Sequence, residues 1–121
     1  GIALLQAAKK LDSTFLKTLT PEEQLGAKIL LAACEEPCRQ IITNTGLDAS
    51  VVLEEIVQNK NKSVHIGFNA WSEKVEDLAL VGVMDPAKVV KTALMHAVSG
   101  AGVIWLSEVL IGELKEEDSQ N

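Results

Sequence analysis

Each of the three prolines in this chain either follows a helix-starting side chain or interrupts a run that would otherwise be helical, and together they partition the sequence. Thr20-Pro21-Glu22-Glu23 puts Thr at the N-cap, Pro at the first helical position and Glu at the third, the pattern of a capping box. A helix is expected from there to about Cys34. Pro37 would lose a backbone hydrogen bond and collide with a preceding carbonyl inside that helix. A break is therefore expected near Glu35-Glu36, with a second short helix through Ile42. Asp85-Pro86 again sets a cap before a Pro and opens the longest helix, Ala87 to about Ser107.

Between these marks the apolar periodicity does the rest. Ile2, Leu4, Leu5, Ala8 and Leu11 recur at helical spacing opposite Lys9, Lys10 and Asp12, so the opening segment reads as an amphipathic helix. Asn44-Thr45-Gly46 ends the helix before it. Asp48 or Ser50 caps a further helix with Val51, Val52, Ile56 and Val57 aligned, and the polar run 59–62 reads as a turn. Val64, Ile66 and Phe68 alternate with His65 and Gly67, the period of a half-buried strand closed by Asn69. Residues 73–80 read as a short helix or an irregular stretch, and 106–114 as a final strand. Gly100 and Gly102 cost helix propensity, roughly 1 kcal/mol each, unless another backbone packs against them. The polar tail 115–121 is expected to be disordered.

With 47% hydrophobic residues in 121, the chain has the material for one domain's core. The apolar residues are mostly Ala, Val, Leu and Ile, aromatics make up only 3%, and Tyr is absent, a palette that favours packed helices over strands. Seventeen acidic against eleven basic residues give a net charge of -6, which argues against nucleic acid as a partner. The stretch 93–106, interrupted by His96, Ser99, Gly100 and Gly102, is too short and too polar for a bilayer span. Gly-Ile-Ala-Leu-Leu at the start has no initiator Met and no signal-peptide pattern, as expected of an excised fragment. Cys34 and Cys38 lie four apart with Pro37 between them. Together with His65 and His96 they are the only soft ligands, but their spacing does not make a zinc site. No metal is expected, and reduced thiols in a cytoplasmic protein are the plain reading.

Five short strings carry a resemblance. Gly-Ile-Ala-Leu-Leu (1–5), Pro-Cys-Arg-Gln-Ile (37–41), Gly67-Phe68-Asn69-Ala70, Met84-Asp85-Pro86-Ala87-Lys88-Val89 and Ala93-Leu94 resemble group I, GroEL-type chaperonins in order and spacing, over essentially the whole chain. The resemblance implies a mainly α fold. Residues 1–114 would be the C-terminal segment of an equatorial, nucleotide-binding domain, an incomplete helical bundle with a small β element. It also implies ATP or ADP with Mg as the cofactor of the full-length protein, with none held tightly by this segment. Implied partners are identical subunits in stacked rings, and a co-chaperonin and unfolded clients reached through absent domains. The catalytic Asp and the phosphate-binding loop of the family would lie outside this chain, so no catalytic residue is assigned within it. Alone it is expected to be inactive and, with apolar faces uncovered, to self-associate.

Site residues carry over position by position. Asp85 matches the family's ribose-binding Asp, and Gly1 the last glycine of a Gly-rich segment. Read by itself, Asp85 is a helix cap for Ala87 or Lys88, and the acceptor sites of a carboxylate allow both roles. Asn69 is placed to read the polar edge of adenine, or simply to end a strand in a turn. Phe68, Ala70, Ile41 and Val83 match the walls of the base pocket; such residues are otherwise ordinary core. Trp71 stands where the family generally carries Ala. An indole turned inward would fill the space adenine needs, whereas one turned outward or stacked on the base would not. A paralogue that keeps the fold as an assembly protein with weakened ATP use is the alternative. Arg39 and Asp48, with Val51 nearby, match the contact between rings; exposed pairs of this kind contribute only about 0 to 1 kcal/mol each, so they would set register.

Overall fold

The computed structural model describes residues 1–11, 13–59 and 63–112, which fall into two compact units, Gly1–Pro86 and Ala87–Asn121. The fold is mainly helical with one small sheet. The first unit contains α1 (Ile2–Lys10), α2 (Ser13–Lys17), α3 (Pro21–Ala33), α4 (Glu36–Thr43) and α5 (Ala49–Gln58), then the strands β1 (Ile66–Asn69) and β2 (Lys74–Asp77).

The helix boundaries follow local chemistry. At α3 the capping box is complete: the Glu23 N–H donates to Thr20 Oγ1 at 3.3 Å and the Thr20 N–H donates to Glu23 Oε2 at 2.8 Å. Pro37 sits in the first turn of α4, where its missing N–H has no role. Gly46, at φ 84°, takes the left-handed conformation just past the end of α4. Asp48 caps α5 by accepting the Ser50 N–H at 2.8 Å.

The core forms where α1, α4, α5 and the hairpin meet. Leu5, Cys38, Ile42, Ala49, Val52, Leu53, Ile56 and Phe68 pack together, joined by the half-buried Ile2 and Val75. This corrects the expected face of α5. Val52 and Ile56 are inside with Ala49 and Leu53, whereas Val51 and Val57 are exposed. Positions 49, 52, 53 and 56 form one helical stripe, and 51 lies off it.

Two further expectations change at the sheet. Residues 74–77, read as helix or irregular, form β2, antiparallel to β1 with Ile66 opposite Asp77 and Phe68 opposite Val75. The strand expected from Val64 begins only at Ile66, and its alternation fails because Gly67 is buried along with Ile66 and Phe68. Leu78 and Ile2 lie over Gly67: a Cβ there would stand 2.7 Å from Leu78 Cδ1 and 3.2 Å from Ile2 Cγ1, so glycine admits both side chains where a Cβ would point.

Side-chain hydrogen bonds brace the hairpin and make it pH-dependent. Ser63 Oγ donates to Asp77 Oδ2 at 2.9 Å, and the Ala79 N–H donates to Asp77 Oδ1 at 3.0 Å. Ser72 Oγ and Asn69 Nδ2 both donate to Glu76 Oε1 at 2.7 Å. These bonds hold both carboxyls below their ordinary values, that from Ser63 foremost at Asp77 and that from Ser72 foremost at Glu76. Because the folded pKa values are lowered, the stabilisation is fully present above the unfolded-state values of about 4 and is lost as pH falls through the folded ones. NMR titration of the two carboxyl carbons is expected to give midpoints below the ordinary range. Ser63→Ala should raise that of Asp77 and Ser72→Ala that of Glu76. Midpoints indifferent to these substitutions would contradict the bracing.

In the second unit α6 runs Ala87–Trp105, two residues short of the expected end, and none of its residues is buried. No backbone approaches Gly100 or Gly102 among the described residues. The strand expected over 106–114 is not formed at 106–112, because a strand needs a neighbour to pair with. Residues 60–62 of the expected turn, positions 113 and 114 of that strand and the expected tail lie outside the described residues.

Candidate functional site

Within residues 1–86 a cavity of about 570 Å³ opens between the start of α1, one side of α4, the β1 strand with its turn, and the segment that follows β2. Its shape depends on a close approach at Gly1. A Cβ on that residue would lie 2.7 Å from both Cα and N of Cys38, and backbone atoms cannot give way as a side chain can. The opening of α1 is thereby seated against the first turn of α4.

The structure brings all eight residues expected at a nucleotide site to this one cavity. Gly1 comes from the entry to α1, Ile41 from α4, Phe68 and Asn69 from β1, Ala70 and Trp71 from the turn, and Val83 and Asp85 from the segment after β2. Phe68 is buried and belongs also to the core, whereas Ile41, Val83 and Asp85 are exposed at the cavity. Within Gly1–Pro86 the Asp85 carboxylate makes no hydrogen bond, which leaves acceptor sites for a ligand.

Asn69 is more constrained than its sequence suggests. Its Nδ2 donates to Glu76 and its Oδ1 accepts the Trp71 N–H at 3.0 Å, so the side chain ends the strand in a turn. One amide hydrogen and one lone pair remain for a ligand. Trp71 is 96% exposed. The indole stands at the rim rather than inside, and the cavity is not filled by it.

Four polar or thiol groups at the cavity were not assigned to it from the sequence: Gln6, Lys10, Cys38 and His65. Lys10 reads as the solvated side of α1 and His65 as a strand residue; only the placement of α1 beside the hairpin shows that they share a wall. Cys38 is buried, and burial pushes its thiol pKa up, so it remains a neutral thiol at physiological pH. Cys34 is also a buried free thiol. Among the described residues no group of three or more His, Cys, Asp or Glu is arranged to hold a metal ion.

Arg39, Asp48 and Val51 lie away from the cavity. Arg39 pairs with Glu35 and, at 3.8 Å, with Glu36, and its Nη1 donates to Ser50 Oγ at 3.1 Å. Ser50 lies in the first turn of α5, between the capping Asp48 and Val51, which is 64% exposed. The three expected contact residues therefore flank one patch, with Arg39 neutralised by acids of its own chain rather than by Asp48. Among the described residues no helix is long and apolar enough to cross a membrane.

Residues 1–113 match the profile of the TCP-1/cpn60 chaperonin family. The chain is also 50% identical, over all 121 of its residues, to chaperonin GroEL 3 of Protochlamydia amoebophila (strain UWE25), and it spans 22% of that protein's length.

Proposed function

Because the chain belongs to the TCP-1/cpn60 chaperonin family, we propose that it is a segment of the nucleotide-binding domain of an ATP-dependent, GroEL-type subunit that assists protein folding, and that its cavity receives the adenosine part of ATP or ADP. The observation that carries this reading is convergence. Residues from four separate stretches, the first and last of them Gly1 and Asp85, line one hollow of about 570 Å³. That volume lies within the roughly 300 to 1,000 Å³ of ordinary ligand pockets, and its lining combines apolar walls with a few polar groups, as such pockets do.

In this reading the open carboxylate of Asp85 accepts the ribose hydroxyls, and the spare amide hydrogen and lone pair of Asn69 face the polar edge of the base. Phe68, Ala70, Ile41 and Val83 wall the ring, and Gly1 brings backbone close to the ligand. Nucleotide with Mg supplies the phosphoryl group whose hydrolysis biases a two-state ring. The catalytic carboxylate and the phosphate loop are assigned to parts of the protein outside these residues, so the chain alone is inactive. Identical subunits in stacked cytoplasmic rings are the partners, with Arg39, Asp48 and Val51 at the contact between rings, and co-chaperonin and clients bind elsewhere. Leu25 and Ile29 on α3, like much of the apolar surface of α6, are exposed; this supports self-association of the isolated chain. The alternative, a paralogue with weakened ATP use, supposes an indole that fills the base pocket; the 96% exposure of Trp71 supports the nucleotide-binding reading instead.

The test is hydrogen exchange on the full-length protein with and without ADP. Saturating ADP is expected to slow exchange across 66–71 and 83–85. ADP bound with no protection there would place the nucleotide elsewhere, and an absence of ADP binding would sink the reading.

A further inference from the structure

Glu76 does not line the cavity, yet it holds a side chain that does. Its cross-strand partner is Gly67, which offers no side chain, and Asn69 is its diagonal neighbour on β1, within reach of a long side chain on the same face of the hairpin. Glu76 Oε1 accepts from Asn69 Nδ2 and from Ser72 Oγ, each at 2.7 Å. A carboxylate can only accept, so the end of the Asn69 amide turned to it is the nitrogen. On the other side Asn69 Oδ1 accepts the Trp71 N–H, a donor that only the oxygen can meet. Both ends of the amide are therefore specified. Turning it over would set oxygen against carboxylate and N–H against N–H.

That orientation bears on which base the site accepts. An asparagine amide presents a donor and an acceptor side by side. Adenine answers with N1 as acceptor and its 6-amino group as donor; hypoxanthine has nearly the same outline with the roles exchanged, O6 accepting and N1–H donating. A freely turning amide serves either base by flipping. One held from behind serves only one of them.

We propose that Glu76 is a positioning residue that sets base specificity: by holding Asn69 in one orientation it makes the site prefer a 6-amino purine over a 6-oxo purine. This rests on the nucleotide reading above and adds to it a residue that touches no ligand. The gain is discrimination more than affinity, because the wrong base meets donor with donor and acceptor with acceptor and leaves those groups unpaired.

The experiment compares ADP and inosine diphosphate binding to full-length wild type, Glu76→Gln and Ser72→Ala by calorimetry. Glutamine keeps the length and an acceptor for Ser72, but its amide can offer Asn69 either an oxygen or an N–H, so Asn69 can turn over without losing that bond. Ser72→Ala loosens the hairpin at the same carboxylate oxygen and leaves the bond to Asn69 in place. The wild type is expected to prefer ADP. Glu76→Gln should reduce that preference about 3- to 10-fold, one hydrogen bond expressed as a ratio of affinities, mainly by binding inosine diphosphate more tightly. A hairpin that was merely loosened could not gain affinity for the second ligand, and Ser72→Ala should keep the wild-type preference. A wild type that binds ADP without preferring it, a Glu76→Gln protein with unchanged preference, or an equal fall in Ser72→Ala would each overturn the role of Glu76 and leave the nucleotide reading standing. A wild-type protein that binds no ADP sinks both.

Discussion

Replacing Ile42 by alanine is expected to cost about 3 to 5 kcal/mol of folding stability, the upper part of the range for truncating a buried aliphatic residue. Among the described residues Ile42 is the one large side chain with 0% exposure, and it lies in the cluster formed by α1, α4, α5 and β1. The loss combines the transfer energy of the deleted methylene and methyl groups with the void they leave, which neighbours on four elements can fill only in part. Ile41 supplies the control. It is the same residue one position earlier on the same helix, but 40% exposed at the cavity. Ile41→Ala should cost clearly less, about 1 to 2 kcal/mol. Urea denaturation of both variants at one low protein concentration, read as a shift in midpoint at constant slope, makes the comparison. Equal losses at 41 and 42 would mean that the core is not arranged as described.

Asp85→Ala is expected to weaken ADP binding to the full-length protein by about 10- to 100-fold, the loss of one or two hydrogen bonds to a charged acceptor. The carboxylate has no partner within Gly1–Pro86 to reorganise around the deletion, so most of the effect should appear in affinity and little in the stability of that unit. Asp85→Asn keeps shape and one acceptor oxygen but loses the charge, and should fall between wild type and alanine. A cycle with 2′-deoxy-ADP isolates the contact: removing the hydroxyl should cost the wild type more than it costs Asp85→Ala. If the two penalties are equal, Asp85 does not meet that hydroxyl, whatever its effect on affinity.

Most of the helical part of the fold was legible because its signals are local. Thr20 with Glu23, Pro37 in a first turn, Gly46 past a last turn and Asp48 at a cap each act within four residues, and each was found where the sequence placed it. The β2 strand was not legible. Lys74, Glu76 and Asp77 are charged and only Val75 is apolar, so no alternation marks it. Its existence depends on register with β1, on Val75 reaching the core opposite Phe68, and on carboxylates that accept from Ser63, Asn69 and Ser72. The orientation of Trp71 was open for a related reason: a turn whose hydrogen bonds span both strands decides which way its residues face.

By itself, then, the amino-acid sequence determined where most of the helices start, though not α2, together with the family and the set of residues worth watching. The tertiary structure alone decided that Gly1 and Asp85, from the two ends of one unit, border the same hollow, and that Lys10 and His65 border it too. Caps, turns and periodicity act over a few residues of chain. Convergence on a cavity depends on how helices seat against one another, here on a glycine whose missing Cβ lets α1 meet α4, and no local pattern encodes that distance.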